Sequence, residues 1–399
     1  MRLLSTALGL PQHRFASIHV VGTNGKSSVT RMTAALLEAH GPRAGACVSP
    51  HVERWSERVL VGGEEIGAGK FNAAVERTAR AAETVNRGLG EGEEVTQFEV
   101  ATAASFVALA DARVDVAVVE AGLGGKLDAT NTIPSRVAVL TSVGLDHTDW
   151  LGETELEIAS EKLAVLRDQT TLVLGRVSPE VAALAERTAA EHGATLVVAA
   201  EDPGEEIQLR AAGAFQRRNL ALARAAAEAF LGDVDEVRVA EVAETLTVPG
   251  RLERVAEDPP TLLDVAHNPD GAAALAESLG EVSGGRPVVA CMAVLADKDA
   301  RAMLAALAPA LTHLIAAQLP DGPDGPQTGH MDTIAARRPS VAARELAGVA
   351  REAGVEAEAV EDFAAAVARG RDLARELDGV LLVTGSHYVL APARAALGR

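Results

Sequence analysis

Cysteine is nearly absent. Two residues in 399, Cys47 and Cys291, exclude a disulfide framework. Both sit in apolar, strand-like segments, as buried thiols of a cytosolic chain would. Long apolar runs are missing too, which excludes a helical membrane span. The N-terminal stretch M-R-L-L-S-T-A-L-G-L-P lacks the apolar core and cleavage site of a secretory signal. Positive charge is scarce, with 37 Lys and Arg against 56 Asp and Glu and a formal net charge of −19. That balance excludes nucleic acid as a general partner. It also means that an anionic ligand such as ATP needs a local cationic pocket. Lysine is the scarcer cation: Lys26, Lys70, Lys126, Lys162 and Lys298 are the five, against 32 arginines. A lysine kept in such a chain is a candidate for chemistry that arginine cannot supply. Lys26, Lys126 and Lys162 fall inside motifs; Lys70 and Lys298 read equally well as chance placements.

What remains is globular. The chain is 48% apolar and 23% charged, long enough for two or three cored domains, with no fixed-period repeat and no coiled coil. Its organising stretch is S-I-H-V-V-G-T-N-G-K-S-S-V-T, residues 17–30. Residues 18–21 read as a buried parallel strand, Gly22-Thr23-Asn24-Gly25 as a tight turn, and Lys26 onward as a helix with Val29, Met32, Leu36 and Leu37 on one face. Strand, glycine loop, Lys-Ser and helix make a phosphate cradle: loop N–H groups and the helix N-terminus point at anionic oxygens, and lysine adds a mobile cation. The usual pattern has four residues between its glycines and here there are two, so an ordinary strand-to-helix turn stays open on this segment alone.

Further along, strands repeatedly deliver polar groups at their C-terminal ends, where open α/β sheets bind ligands. Residues 44–48 lead to Ser49-Pro50-His51. Residues 114–119 lead to Glu120 and the loop A-G-L-G-G-K-L-D-A-T-N. Residues 137–141 lead to Ser142 and then Asp146-His147. Serine, glutamate and histidine arriving together at strand ends suit Mg²⁺ on a nucleotide better than each does alone. Residues 58–66 read as a hairpin around Gly62-Gly63 and residues 70–85 as a helix. Thr96-Gln97-Phe98-Glu99 opens another helix, and Thr96 with Glu99 fits a capping box as well as a ligand role. A helix through Ile158 and Ala159 carries Glu161-Lys162. Residues 171–174, 194–198 and 207–210 continue the strand pattern, 214–230 is a helix with Gln216 and Asn219, and 232–248 is polar and turn-prone. The pattern restarts at Pro249-Gly250-Arg251. Strands then run over 261–265, 287–294 and 379–384, and a Pro/Gly/Asp loop spans 320–326. The domains are expected at 1–247 and 248–399, the second a smaller doubly wound one.

Together G-T-N-G-K-S-S, S-P-H, T-Q-F-E, E-A-G-L-G-G-K-L-D-A-T-N, L-D-H, S-E-K, P-G-R and D-V-A-H-N-P resemble, in order and spacing, the folylpolyglutamate synthase / dihydrofolate synthase family of the Mur ligase superfamily. The resemblance runs from about residue 10 to the C-terminus. It implies an α/β fold with an N-terminal P-loop-type ATPase domain on a mostly parallel sheet and a C-terminal Rossmann-like domain. It implies an ATP-dependent ligase that phosphorylates a folate or dihydropteroate carboxylate, so that L-glutamate can attack an acyl phosphate. Gly25, Lys26, Ser27 and Ser28 match phosphate contacts, and Asn219, Arg251 and Asp264 match further nucleotide contacts. Ser49, Glu120 and His147 match Mg²⁺ ligands. Lys162 matches a lysine that is carbamylated and can serve a second Mg²⁺. Thr96, Gln97, Phe98, Glu99, Leu127, Asp128 and Ala129 match pterin positions. His267 faces the acyl-phosphate region, so Lys26, Lys162 and His267 are the expected catalytic residues. Potassium, a cytoplasmic location and a monomer acting only on small molecules, with neither nucleic acid nor membrane as partner, complete the expectation. Ser27, Lys126 and Phe215 depart from the family's commoner glycine, arginine and histidine. A Mur-type ligase for another acid, or a P-loop NTPase switch or binding module, are the competing readings.

Overall fold

The computed structural model describes residues 1–320 and 339–398. Of the loop expected over 320–326, residues 321–326 lie outside the described residues. Two compact units divide the chain. The first takes Met1–Leu209 and Arg217–Leu246; the second takes Arg210–Gln216 and the described residues from Thr247 onward.

In the first unit, strands β1 (Ala16–Val21), β2 (Ala44–Cys47), β3 (Val59–Val61), β4 (Glu64–Glu65), β5 (Val116–Glu120), β6 (Ser135–Leu140), β7 (Thr171–Leu174) and β8 (Thr195–Val198) form one sheet. Its order is β4-β3-β2-β5-β1-β6-β7-β8. The run from β2 to β8 is parallel, and β3 and β4 add an antiparallel hairpin at one edge. Central β5, V-A-V-V-E, is buried at every position, as parallel strands covered on both faces are. Helices Ala68–Asn86 and Gln97–Asp111 pack with Phe15, Val59, Val119 and Ile133 in one core cluster; helices Glu155–Leu163 and Pro179–Glu191 pack with Leu140, Leu172 and Leu174 in another. Phe106 is fully buried in the first cluster, a burial that stabilises by about 2–3 kcal/mol. β2 can approach that cluster because Gly45 has no side chain: a Cβ there would run into Leu109.

The second unit is a six-stranded sheet: β9 (Glu253–Glu257), β10 (Pro260–Leu263), β11 (Val288–Met292), β12 (His313–Ala316), β13 (Glu356–Ala359) and β14 (Val380–Thr384). The order is β13-β12-β11-β14-β10-β9, parallel except for β9. Leu262, Ala290, Met292, Leu314 and Leu382 meet helix residues Leu275, Leu304 and Leu346 in its core. The α/β class and the mostly parallel sheets are as the sequence indicated.

Two expected elements differ. Residues 207–210 form no strand: Ile207 is buried, but its carbonyl accepts from Arg217 Nη1 at 2.8 Å and joins no ladder. The stretch 232–248, expected to be irregular, contains helix Glu236–Thr245, capped by Asp235 and anchored by buried Val239 and Ala243 one turn apart. Its remaining polar residues hid that short apolar stripe.

Candidate active site

Helix Lys26–Ala39 begins at Gly25, whose φ of 84° lies in the left-handed region and whose missing Cβ makes room for another residue. A Cβ there would stand 2.7 Å from Asn219 Oδ1, so the carboxamide of helix Ala214–Leu231 borders the loop. The end of β6 grips the other side. Thr141 Oγ donates to the Asn24 carbonyl at 2.6 Å, Asn24 N–H donates to Ser142 Oγ at 3.0 Å, Thr23 N–H donates to the Ser142 carbonyl at 2.9 Å and Gly144 N–H donates to Thr23 Oγ at 3.1 Å. These groups went unassigned in the sequence. Their only signal was a hydroxyl pair at a strand end, because the pairing crosses more than a hundred residues.

Two lysines converge on this loop. Lys26 Nζ donates to the carbonyls of Gly22 at 3.0 Å and Thr23 at 3.1 Å. Lys162 Nζ donates to the same Gly22 carbonyl at 3.0 Å. Lys162 rides on helix Glu155–Leu163, which starts with a capping box: Thr154 Oγ accepts from Glu157 N–H and Glu157 Oε2 accepts from Thr154 N–H. Burial, and then the Lys26 charge, push the Lys162 amine down to about 7, while Asp146, Asp128 and Glu161 pull it up. Burial thus favours the neutral, nucleophilic form of this amine.

Glu120 ends β5 with 2% of its surface exposed. Its Oε1 accepts from Ser27 Oγ at 2.8 Å and its Oε2 from the Ser49 N–H at 2.9 Å. Ser28, also in the first helical turn, is buried, and its hydroxyl has no hydrogen-bond partner. His147 stands at a left-handed φ of 53°, with Nε2 3.9 Å from Asp146 Oδ1. Among the described residues no three His, Cys, Asp or Glu side chains converge. A buried carboxylate beside two serines nevertheless fits a hard divalent cation, because Mg²⁺ takes few protein carboxylates and fills its shell with phosphate and water oxygens.

The loop after Glu120 lies against the end of helix Glu155–Leu163. Lys126 N–H donates to the Glu161 carbonyl at 3.1 Å, and a Cβ on Gly125 would sit 2.7 Å from that oxygen. The Phe98 ring occupies the space a Cβ on Gly122 would need, so T-Q-F-E and the glycine loop are neighbours. Leu127 is 89% exposed, whereas Asp128 and Ala129 are buried. Asp128 is turned inward onto its own loop. Glu99 completes the capping box with Thr96 and also pairs with the Met1 ammonium. Gln97 is exposed.

The remaining candidates belong to the second unit. Asp264, past the end of β10, is buried and accepts from Ala266 N–H at 2.8 Å and Leu252 N–H at 3.0 Å. Burial pushes its carboxyl upward against the Arg251 charge and these bonds. Arg251 Nη1 donates to the Gly250 carbonyl. His267 Nδ1 meets the Val265 carbonyl at 2.9 Å, so Nδ1 carries the ring proton. Asn268 then caps helix Pro269–Val282.

The model of the Mur ligase middle domain matches residues 20–227, and that of the Mur ligase glutamate ligase domain matches residues 250–387. A dihydrofolate synthase/folylpolyglutamate synthase of Mycobacterium tuberculosis is 38% identical over 357 residues, 78% of this chain and 72% of that protein. The solved Mycobacterium tuberculosis folylpolyglutamate synthase complexed with ADP superposes with a TM-score of 0.88 at 32% identity, covering 100% of this chain and 94% of that one. The Yersinia pestis bifunctional folylpolyglutamate synthase/dihydrofolate synthase complexed with AMPPNP and Mn ion gives a TM-score of 0.81 at 28% identity, covering 99% and 92%.

Proposed function

We propose a reaction and residue roles from one premise: this chain belongs to the folylpolyglutamate synthase / dihydrofolate synthase family of the Mur ligase superfamily. It is an ATP-dependent ligase that joins L-glutamate to a folate-type carboxylate. The carboxylate oxygen attacks the γ-phosphorus of ATP, releasing ADP and leaving an acyl phosphate. The glutamate amine attacks the acyl carbon, the C–O bond to phosphate breaks, and the amine loses a proton as phosphate departs. A carboxylate is a poor electrophile, so phosphorylation supplies the leaving group, and the protein supplies position and charge.

The observation that carries the role assignment is the Gly22–Ser27 loop with its two lysines and the Glu120–Ser27–Ser49 cluster. The N–H groups of Gly25 to Ser28 and the Lys26 ammonium hold the phosphates, with Asn219 at the loop's flank; Arg251 and Asp264 are the further nucleotide contacts that the family pattern implies. Ser49, Glu120 and His147 would hold a divalent cation, which supplies charge neutralisation on the phosphates. Lys162 is a candidate carbamate. Its neutral amine attacks CO₂, a C–N bond forms and one proton leaves to water, and the anion could serve a second metal. This rests on the amine's pKa near 7 and on the family pattern. Potassium is proposed as an activator without an assigned residue. His267, whose Nδ1 meets the Val265 carbonyl, is the residue that the family pattern assigns to the acyl-phosphate region. Phe98 and Leu127, with Thr96, Gln97, Glu99, Asp128 and Ala129 around them, line the acceptor site. The enzyme is proposed to act as a cytoplasmic monomer; no described helix is long and apolar enough to cross a membrane.

Phosphate release from Mg²⁺-ATP, with and without L-glutamate and with dihydropteroate or tetrahydrofolate as acceptor, tests the reading. Release requiring both glutamate and a folate-type acceptor is expected. Release independent of the acceptor would overturn it in favour of an NTPase switch.

A further inference from the structure

A polar chain that reaches Asp128 from the strand beneath it has no role in the mechanism beyond Asp128 itself. His19, in the middle of β1, is fully buried. Its Nε2 lies 2.8 Å from Thr130 Oγ, and Thr130 Oγ lies 2.5 Å from Asp128 Oδ1. Asp128 also accepts from Thr130 N–H at 2.9 Å through Oδ1 and from Leu123 N–H at 2.8 Å through Oδ2. Its carboxylate thus staples both ends of the segment G-G-K-L, on which Leu127 stands exposed. Arg167 holds the loop's far end through the Asn131 carbonyl at 3.0 Å.

Thr130 Oγ has one proton, which allows two arrangements. In the first, Asp128 is a carboxylate, Thr130 donates to it, and His19 Nε2–H donates to Thr130. In the second, Asp128 is protonated and donates to Thr130, Thr130 donates to His19 Nε2, and the ring proton sits on Nδ1. The surroundings decide between them. His19 Nδ1 is buried and has no hydrogen-bond partner. An orphaned N–H in a core is rarer and costlier than an unused lone pair. Protonating Asp128 would therefore force an unpaired N–H into the sheet. Burial favours the neutral Asp128 carboxyl, and the histidine tautomer opposes it. Burial, and then the Arg167 charge, keep the ring itself neutral, pushed down to about 3.

We infer that His19 is a positioning residue: fixed as the Nε2–H tautomer, it holds Asp128 ionised through Thr130 and thereby sets the shape of the 120–131 loop. The chain of bonds ties the strand that feeds the phosphate loop to the loop that presents Leu127. Its bearing on acceptor binding rests on the assignment of that loop under the proposed function; its bearing on loop shape does not.

The test uses the full chain. Histidine ¹⁵N spectra, with the His19 signals assigned by difference from His19→Gln, report the tautomer directly in the unaltered protein. The Nε2–H signature from pH 5 to 8 is expected; an Nδ1–H signature or an imidazolium would overturn the inference. Thr130→Val removes the hydroxyl at nearly constant volume, and Thr130→Ser restores it. In the valine variant amide exchange at positions 123 and 130 should rise at least tenfold, and KM for the folate-type acceptor should rise about tenfold. KM for ATP should stay within twofold, with recovery in the serine variant. Exchange equal to that of the parent protein would overturn the inference whatever the kinetics. Faster exchange with an unchanged acceptor KM would uphold the relay and remove the loop from the acceptor site.

Discussion

Each unit buries one carboxylate where an interior strand ends, and the two are used differently. Glu120 of the first unit shares its oxygens between a side-chain hydroxyl, Ser27, and one backbone N–H, Ser49. Asp264 of the second unit gives both oxygens to backbone N–H groups, Leu252 and Ala266. A hydroxyl can turn away and leave Glu120 to another partner, whereas a backbone N–H cannot leave without unfolding its loop. The first unit also buries Lys162, Asp128 and His19, with Lys26 half-buried at the loop; the core of the second unit is apolar. The first unit therefore carries its chemistry inside its framework, while in the second a single carboxylate organises a turn.

Substitutions can break this contrast. The largest effect is expected for Lys26→Ala, which should lower ligation by about 10³-fold or more at saturating ATP, since a phosphate-directed cation in a low-dielectric site is lost. Thermal unfolding should barely move; retained ligation would break the phosphate-loop assignment. Lys162→Ala should follow, with about 10²-fold loss. Formate or acetate should restore part of it by supplying the missing oxygens, and full activity without them would refute the carbamate.

The comparison sharpens with Asp264→Asn against Glu120→Gln. The asparagine sets an NH₂ against a backbone N–H and should cost about 1–3 kcal/mol in denaturant unfolding. The glutamine can keep its oxygen on the Ser49 N–H and donate its NH₂ to Ser27 Oγ, because a hydroxyl can turn round and accept, so it should lose activity with a smaller loss of stability. Equal stability losses would erase the distinction drawn between the two carboxylates. A further effect is on pH dependence, at the buried histidine of the first unit. His19 binds its proton at about 3 when folded against 6.5 in its ordinary state. Between these values the unfolded chain holds a proton that the folded one lacks, so stability falls as pH drops through this window. The slope is roughly 1.4 kcal/mol per pH unit. His19→Gln should remove one proton's worth of that slope, measured by unfolding between pH 4 and 6.5.

The legible parts of this molecule were the local ones. The strand-loop-helix at residues 16–39, the capping box of Thr96 and Glu99 and the hairpin at Gly62-Gly63 are each specified within a few residues, and each is present. Helix Glu236–Thr245 escaped because its buried stripe is two residues, Val239 and Ala243, in a polar segment. The clamp of Thr141 and Ser142 on Asn24, and the inward turn of Asp128, escaped for another reason. The clamp joins residues more than a hundred positions apart, and the Asp128 carboxylate turns onto nearby Leu123 and Thr130, a choice between ligand and own loop that no spacing rule records.

The path of the chain has a consequence for cutting it. From the first unit it enters the second at Arg210, returns at Arg217 and leaves again at Thr247. Residues 210–216 are not idle: Ala214 N–H donates to Ser278 Oγ at 3.1 Å, and Phe215 packs on the core that includes Leu252. The returning segment closes the far end of the phosphate-loop helix, where Asp235 N–H donates to His40 Nε2 at 2.8 Å and Arg238 Nη1 to the Ala39 carbonyl at 2.6 Å. No single scission therefore yields two intact halves. A break near 210 leaves the segment that meets His40 and Ala39 on a separate piece from helix Lys26–Ala39, and a break near 247 separates Ala214 and Phe215 from Ser278 and Leu252. The halves of this ligase are stitched rather than strung: within the described residues the chain crosses between them three times.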